Sequence, residues 1–240
     1  MPSALNIDDG HVSMRDGDRA FRLQVDHLEI PAGRAVALTG ASGSGKTLLL
    51  ELLGLLRAPG AGTRYVWTGQ NVDLAALWRR GPRSAGLAHM RGRLFGFVPQ
   101  TGGLMPFLTV LENIALPQRV NGCVDAAWCT ALTERLGLAD VAALMPGALS
   151  IGQRQRTAIA RALSHRPPFV IADEPTAALD SDSADKVLDL LLETAREQGT
   201  GVILSSHDVE RMDRFGITRL RLTTQLDDGQ VISRLGAAPC

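Results

Sequence analysis

The segment GASGSGKT, residues 40–47, has the residue types and spacing of a phosphate-binding loop. Its glycines allow a tight turn that aims backbone N–H groups at phosphate oxygens, and a following helix adds its N-terminal dipole. Lys46 would reach the β- and γ-phosphates of a nucleoside triphosphate, and the Thr47 hydroxyl would bind Mg²⁺. The residues predicted to contact the nucleotide are Gly40, Ala41, Ser42, Gly43, Ser44, Gly45, Lys46, Thr47 and Leu48.

Two acidic residues end a second apolar run, FVIADEP at residues 169–175. In α/β sheets, ligands bind at the carboxyl ends of the strands, where this pair would lie. Asp173 is then placed to hold Mg²⁺, directly or through water, and Glu174 to act as general base on the attacking water. The pair therefore indicates hydrolysis of the bound nucleotide.

Polar side chains follow two further apolar runs. His207 comes after GVILSS at residues 201–206, and Gln100 comes after LFGFVP at residues 94–99. A lone histidine at such a place usually caps a helix, but converging strand ends favour His207 as a γ-phosphate ligand. Gln100 is a candidate contact to Mg²⁺ or to the attacking water. The candidate catalytic residues are thus Glu174, His207 and Gln100, and the candidate Mg²⁺ ligands are Thr47, Gln100 and Asp173.

The apolar pattern predicts the elements that position these residues. Continuous apolar runs between turn signals predict buried strands, and longer runs with helical spacing predict helices. Strands alternating with helices imply a mainly parallel α/β sheet, interrupted by a helical stretch at about 101–165. The predicted strands are 35–38, one early in 63–98, 94–98, 167–175, 201–206 and two in 218–235; the predicted helices are 48–56, 108–116, 124–136, 152–165 and 181–198.

Composition argues against several classes of protein. The 240 residues suffice for one large domain or two small ones, and 45% hydrophobic residues is ordinary for a globular protein. The net charge of +0, from 25 basic and 25 acidic residues, argues against nucleic acid as the main partner. No apolar run approaches the roughly 20 residues that span a bilayer, and the N-terminus has no secretory pattern. Cys123, Cys129 and Cys240 are expected as free thiols in a reducing cytosol.

Six motifs, taken in order, resemble those of the ATP-binding-cassette (ABC) ATPases, and the resemblance covers almost the whole chain. Any one motif is fallible, but their shared order and spacing make accidental agreement negligible. The motifs are GASGSGKT for Walker A, Gln100 for the Q-loop, LSIGQ at 149–153 for the signature usually written LSGGQ, FVIADEP for Walker B, AALD at 177–180 for the D-loop, and His207 for the switch histidine.

The resemblance implies a P-loop α/β fold with a mainly parallel core, an N-terminal antiparallel β subdomain and a helical insertion. It implies a single nucleotide-binding domain over residues 1–240. The core and β subdomain would occupy 1–99 and 166–240, and the helical subdomain with the signature motif about 100–165.

The same resemblance implies that ATP and Mg²⁺ are bound between two chains, which we expect to be two copies of this one. Asp180 would then help to couple the two sites. The signature residues expected to act on the partner's site are Ser150, Ile151, Gly152 and Gln153. Of these, Ser150, Gly152 and Gln153 would touch the γ-phosphate held by the partner copy.

A narrower resemblance lies in residues 95–117, FGFVPQTGGLMPFLTVLENIALP. It is similar to the ATPases of lipoprotein release, macrolide export and cell division. In that group the ATPase is cytoplasmic and peripheral on the inner membrane, beneath an integral membrane subunit with a periplasmic domain that docks near the Q-loop. Four apolar residues either line that docking groove or belong to the helical core: Leu104, Met105, Phe107 and Leu108.

Four positions depart from the family pattern. Leu48 stands where many members have a hydroxyl, which removes one hydrogen bond of about 1 kcal/mol. Pro99 stiffens the entry to the Q-loop. No aromatic near His11 offers itself for stacking on adenine, so that either His11 substitutes or the base stacking is weaker. Ile151 replaces a glycine, which would strain the loop by about 1–3 kcal/mol if φ were positive and would have only a steric effect otherwise.

Three hypotheses of function follow. The first is an ATP-hydrolysing subunit of a transport or mechanotransmission complex, including lipoprotein release or export. The second is a regulatory ATPase that controls a periplasmic cell-wall hydrolase or division partner and moves no cargo. The third is a soluble ABC-type ATPase without a transport role, which neutral charge and the single cassette disfavour.

Overall fold

Ten strands can be traced in the computed structural model, which describes residues 3–16, 19–227 and 230–237. Cys240 lies outside these ranges, whereas Cys123 and Cys129 are free thiols. The strands are β1 (Ala4–Asp16), β2 (Arg19–Pro31), β3 (Ala35–Thr39), β4 (Arg64–Trp67), β5 (Val72–Asp73), β6 (Phe95–Val98), β7 (Phe169–Ala172), β8 (Gly201–Ser205), β9 (Thr218–Asp227) and β10 (Gln230–Ala237).

Seven α-helices and three short 3₁₀ segments accompany the strands within the described part of the chain. None of these helices is long and apolar enough to cross a membrane. The helices are α1 (Lys46–Leu53), α2 (Ala85–Leu94), α3 (Val110–Asn121), α4 (Ala126–Arg135), α5 (Ile151–Leu163), α6 (Ser181–Gln198) and α7 (Val209–Arg214). The 3₁₀ segments are Ala76–Arg80, Ala139–Val141 and Pro146–Ala148.

All ten strands belong to one sheet, in the order β5-β4-β1-β2-β10-β9-β3-β8-β7-β6. From β9 to β6 every neighbouring pair is parallel. From β5 to β2 every pair is antiparallel, and β10 joins the two halves because it runs parallel to β2 and antiparallel to β9. The predicted fold class, a parallel core with an antiparallel N-terminal part, is confirmed.

Helices cover both faces of the sheet at β3, β6, β7 and β8, which explains why these strands are almost wholly apolar. Along β3 the side chains of Val36 and Leu38 enter the core cluster that contains α1, whereas Ala37 enters the cluster that contains α5 and α6. The same alternation occurs in β7, where Ile171 packs on the α1 side and Val170 on the other. Continuous burial of this kind predicts a central strand, and it made β3, β7 and β8 recognisable.

The predicted helices include none between residues 63 and 94, but the structure has helix α2 in this stretch. This helix has a Ser84 N-cap whose side chain accepts from Leu87 N at 3.3 Å. Only Leu87 and Leu94 of α2 are buried, so its sequence carries almost no helical period. The predicted end of the helix at 116 is also wrong, since α3 continues past Pro117 to Asn121.

The predicted division into subdomains at residues 100 and 165 has a counterpart in where the helices lie in the chain. Between β6 and β7 the described chain forms no strand, and α3, α4 and α5 occupy this interval. Helix α5 packs against α3 and returns the chain to β7, so that β6 and β7 become parallel neighbours. The exact division stays a prediction.

Candidate active site

The phosphate-binding loop connects Thr39, the last residue of β3, to Lys46, the first residue of α1. Gly45 precedes the helix with φ of 91°, and a Cβ there would lie 3.0 Å from Cζ of Phe21, so a side chain would be strained and crowded. A Cβ at Gly43 would meet no atom within 4 Å, which shows that this glycine faces an open cleft. The backbone thus leaves room for phosphate in front of α1.

Lys46 folds back into the loop that precedes it. Its Nζ donates to the carbonyl oxygens of Gly40 and Ala41, at 3.0 and 3.1 Å. Burial lowers the pKa of Lys46, and the nearby carboxylates of Glu174 and Asp173 act in the opposite direction. A lysine held by two carbonyls and faced by two carboxylates is placed to exchange these partners for phosphate oxygens.

Ser42, Ser44 and Leu48 occupy different environments in the same loop. Ser42 and Leu48 line the open cleft, although most of the Leu48 side chain is buried. The Ser44 side chain is buried, and its Oγ has no hydrogen-bond partner among the described residues. Such an orphaned hydroxyl is satisfied when a phosphate oxygen enters the loop, so the cradle fits a nucleoside triphosphate.

Thr47 and Asp173 meet directly, since Thr47 Oγ1 donates to Asp173 Oδ2 at 3.1 Å. The other carboxylate oxygen, Oδ1, accepts from Ser205 Oγ at 2.6 Å, and the same Ser205 oxygen accepts from Glu174 N at 2.8 Å. Ser205 therefore orients both acidic residues, and the sequence prediction missed it. Only the register of β7 and β8 identifies Ser205: Ala172 pairs with Leu204, which places the next residues, Asp173 and Ser205, side by side.

Glu174, His207 and Gln100 come together at the same strand ends. His207 Nε2 lies 2.8 Å from Glu174 Oε1, and Gln100 Nε2 donates to Glu174 Oε2 at 3.4 Å. Glu174 has φ of 45°, a left-handed conformation that non-glycine residues rarely adopt and that is often found at functional sites. Gln100 thus reaches the proposed base, and no described hydrogen bond joins it to the candidate Mg²⁺ ligands Thr47 and Asp173.

The signature residues lie apart from this cluster, at the start of α5. Ser150 is the N-cap: Gln153 N donates to Ser150 Oγ at 3.2 Å, and Ser150 N donates to Gln153 Oε1 at 2.8 Å. Ile151 is the first residue of the helix, its φ is not positive, and its side chain is 51% exposed. The isoleucine therefore causes no backbone strain.

A second cleft, of about 800 Å³, lies between the start of α5 and the start of α6. Ser150, Ile151 and Gly152 line it together with Asp180. Asp180 is the N-cap of α6, and hydrogen bonds from the Ser183 backbone and side chain lower its pKa. The chain thus keeps the signature residues and the phosphate loop in separate clefts.

The aromatic residue near the phosphate loop is Phe21 and not a residue close to His11. Phe21 pairs with Met14 in the β1–β2 hairpin, and both line the cleft of about 330 Å³ that contains Lys46. The expected substitute His11 is wrong for this cleft. Positions 11 and 14 differ by an odd number and so lie on opposite faces of β1, and His11 packs against Gly60 instead.

The four apolar residues after the Q-loop form an ordered loop, and none of them is fully buried. The buried Asn113 holds this loop: its Oδ1 accepts from Met105 N at 2.8 Å, and its Nδ2 donates to Leu108 O at 2.9 Å. Leu104 packs partly against the core cluster of the helices, whereas Phe107 is 70% exposed. The helical-core interpretation is therefore wrong for Phe107.

The fold and this cluster of residues define a P-loop protein that binds a nucleoside triphosphate at the carboxyl edge of a parallel sheet. A family model described as ABC transporter matches residues 23–177. The chain belongs to the ABC transporter family, and it is an ATPase.

Individual relatives agree with this assignment. The chain is 41% identical over 225 residues to the lipoprotein-releasing system ATP-binding protein LolD 1 of Caulobacter vibrioides, covering 92% of this chain and 91% of the relative. It is 43% identical over 209 residues to the pyoverdine export ATP-binding/permease protein PvdT of Pseudomonas fluorescens, covering 86% of this chain and 30% of that protein.

Solved structures show the same architecture. A dimeric structure of a post-hydrolysis state of the ATP-binding cassette MJ0796, bound to ADP and Pi, superposes with a TM-score of 0.79 at 31% identity. The similarity covers 98% of this chain and 99% of that one.

Proposed function

We propose that this chain is the ATP-hydrolysing subunit of a lipoprotein-releasing complex and drives a separate integral membrane subunit. The observation that carries the proposal is the convergence of Lys46, Glu174 and His207 on one cleft, with Asp173 bonded to Thr47 of the same cleft. Lys46 would supply the phosphate contact, Asp173 the metal ligand and Glu174 the general base for ATP hydrolysis. The similarity to LolD 1 over 91% of that protein supports the choice of lipoprotein release.

Each polar group has one role in this proposal. Lys46 leaves the carbonyls of the loop to bind the β- and γ-phosphates, while the Ser44 hydroxyl gains its missing partner. Glu174 accepts a proton from the attacking water, which adds its oxygen to the γ-phosphorus as the bond to ADP breaks. His207, held beside Glu174, contacts the γ-phosphate, and Gln100 helps to orient the water.

Mg²⁺ fits the donor set of Thr47 and Asp173. A hydroxyl and a carboxylate are oxygen ligands, which Mg²⁺ prefers, and it commonly takes its other ligands from water and substrate phosphates. When bound, the ion would neutralise charge that develops on the phosphates. Ser205 keeps Asp173 in place for this role through its 2.6 Å hydrogen bond.

Two copies of the chain would close on two ATP molecules. The exposed start of α5 is then available to the nucleotide of the partner copy, because Ser150 and Gly152 are oriented by the helix cap and lie outside their own phosphate cleft. Asp180 would lie at the same interface. The dimeric form of the related cassette MJ0796 supports this arrangement.

The exposed Phe107 and the loop around it would receive the membrane subunit. A large aromatic side chain that is 70% exposed on a loop held by Asn113 offers an ordered apolar contact. The chain would thereby sit on the cytoplasmic face of the inner membrane, beneath a partner with a periplasmic domain. Export of a small molecule is the second candidate, favoured by the 43% identity to PvdT.

Reconstitution with an integral membrane subunit that co-purifies with this chain tests the proposal. Proteoliposomes carrying a radiolabelled lipoprotein are given ATP and a soluble acceptor protein, and lipoprotein in the supernatant is measured. We expect ATP-dependent release that the Glu174→Gln variant abolishes. Retention of the lipoprotein, together with ATP-dependent loss of a small amphiphile from the same vesicles, would favour export instead. Coupling only to a cell-wall hydrolase would favour a regulatory ATPase.

A further inference from the structure

Arg211 is a nearly buried cation that no sequence motif points to. Its side chain is only 11% exposed, on the short helix α7. Its Nε donates to Asp185 Oδ1 at 2.6 Å, and its Nη1 lies 2.6 Å from Asp208 Oδ2. Its Nη2 donates to Ser181 Oγ at 3.3 Å. All three guanidinium nitrogens are therefore engaged.

These partners belong to two elements, the start of α7 and the first turns of α6. Asp208 directly follows His207 and is the N-cap of α7, where its Oδ1 also accepts from Arg211 N at 2.9 Å. Ser181 and Asp185 lie in the first two turns of α6, directly after the D-loop residue Asp180. The guanidinium thus bridges the residue after the switch histidine and the residue after the D-loop.

We propose that Arg211 is a positioning residue that clamps the start of α7 to the start of α6 and so holds the His207 imidazole against Glu174. The proposal rests on the role assigned above to His207. It goes further because it names the connection through which a movement of the D-loop would reach the catalytic pair.

The chemistry of the contact requires arginine. A planar guanidinium can bond to two carboxylates and a hydroxyl in different directions at once, which the single ammonium of lysine does not reproduce. Asp185 also forms an ion pair with Arg214, whose Nη1 lies 3.1 Å from Asp185 Oδ2. No described contact joins Arg214 to Asp208 or Ser181. Arg214 is 58% exposed and therefore provides a matched control.

The consequence for hydrolysis follows from rigidity. His207 directly precedes Asp208, the N-cap of α7. A rotation of α7 relative to α6 therefore moves the His207 imidazole away from its 2.8 Å contact with Glu174. Misplacement of a catalytic group by about 1 Å can lower a rate by roughly 100-fold. The predicted ATP contacts of the loop before α1 involve neither Arg211 nor α7, so ATP binding should be preserved.

Steady-state ATPase kinetics of the full chain test the clamp with four variants: Arg211→Met, Arg211→Lys, Arg214→Gln and His207→Ala. We expect Arg211→Met to lower kcat by about 10- to 100-fold with KM for ATP within about twofold. Arg211→Lys should recover part of kcat, and Arg214→Gln should stay within about twofold of the wild type. Melting temperatures show whether each variant is folded at the assay temperature. If Arg211→Met does not fold, the comparison with the wild type is made with Arg211→Lys.

A spectroscopic measurement separates positioning from stability. The His207 Cε1–H resonance, assigned by its loss in His207→Ala, should shift in both Arg211 variants and remain in place in Arg214→Gln. Full kcat in folded Arg211→Lys and Arg211→Met, or an unmoved His207 resonance, overturns the clamp. Full kcat in His207→Ala is a different outcome, since it refutes the assigned role of His207 itself.

Discussion

Glu174 Oε1 lies 2.8 Å from Nε2 of His207, and Glu174 reaches this position from a left-handed backbone with φ of 45°. The strained conformation is held because Glu174 N donates to Ser205 Oγ at 2.8 Å. The carboxylate is thereby aimed along the strand ends and toward the cleft in front of Lys46. Its exposure of 20% leaves one side open to a water molecule.

Replacing Glu174 by Gln should remove turnover and keep ATP binding. The amide has nearly the same shape but cannot accept the proton of the attacking water, so kcat should fall by at least about 100-fold. Size-exclusion chromatography with ATP should show the variant as a stable dimer. Wild-type hydrolysis by the variant would refute the assignment of Glu174 as base.

Replacing Ile151 by Gly should change the ATPase rate by no more than about twofold. The isoleucine already has helical φ and an exposed side chain at the first position of α5, so glycine relieves no strain. It lowers helix propensity by about 0.5 kcal/mol. ATPase rates measured at several protein concentrations test this, and a rise of tenfold or more would identify Ile151 as a brake on the paired site.

Replacing Phe21 by Ala should weaken ATP binding. Stacking of a base on an aromatic ring contributes about 1–3 kcal/mol, so the Kd for ATP should rise by at least about fivefold. Phe21→Tyr keeps the ring and should bind normally, and His11→Ala is the control on the opposite face of β1. Calorimetric titration with ATP and with inorganic triphosphate separates the contribution of the base to affinity from that of the phosphates. Loss of Phe21 should weaken binding of ATP and leave binding of triphosphate unchanged.

Replacing Ser205 by Ala should lower both stability and kcat. The hydroxyl donates to Asp173 and accepts from Glu174 N, and its loss leaves buried polar groups unpaired at about 1–3 kcal/mol. Thr200→Ala provides the control, because it removes a 2.7 Å hydrogen bond to Pro167 O just before the other end of β8. Chemical denaturation should show both variants destabilised, whereas only Ser205→Ala should be slow in ATP hydrolysis.

The stabilising effect of Asp185 should depend on pH. The hydrogen bond from Arg211, together with Arg214, holds the pKa of Asp185 below its usual 3.8. A carboxyl with a depressed folded pKa stabilises the fold above the unfolded pKa, and this contribution is lost as the pH falls through the folded value. The difference in unfolding free energy between wild type and Asp185→Asn should therefore be constant at neutral pH and shrink below about pH 3.8. A constant difference down to lower pH would contradict this.

Local patterns were enough to predict the parallel core and the residues at its carboxyl edge. GASGSGKT lies between an apolar strand and an apolar helix, and FVIADEP ends a strand that is buried on both faces. The phosphate loop is recognisable from its glycine spacing, and the buried strand from its uninterrupted apolar run, each within a few residues. The predicted roles of Glu174, His207 and Gln100 remain predictions, although the fold brings the three side chains together.

Residues whose importance depends on strand register were not predictable in the same way. Phe21 reaches the cleft because it pairs with Met14, and Ser205 meets Asp173 because β7 and β8 are aligned at Ala172 and Leu204. Neither residue carries a local signature. Arg211 likewise gains its partners only when α6 and α7 are packed together.

The pairing of β2 with β10 has a consequence for the order in which a newly made chain matures. Ser233 in β10 is buried and donates its hydroxyl to the carbonyl of Ser44 at 2.6 Å, across 189 positions of sequence. Contacts between distant segments form only after both have been synthesised. A ribosome-bound chain that has not yet extruded β10 therefore lacks the strand that supports its phosphate loop. The phosphate loop with this support becomes available to ATP only once β10 has been made and paired.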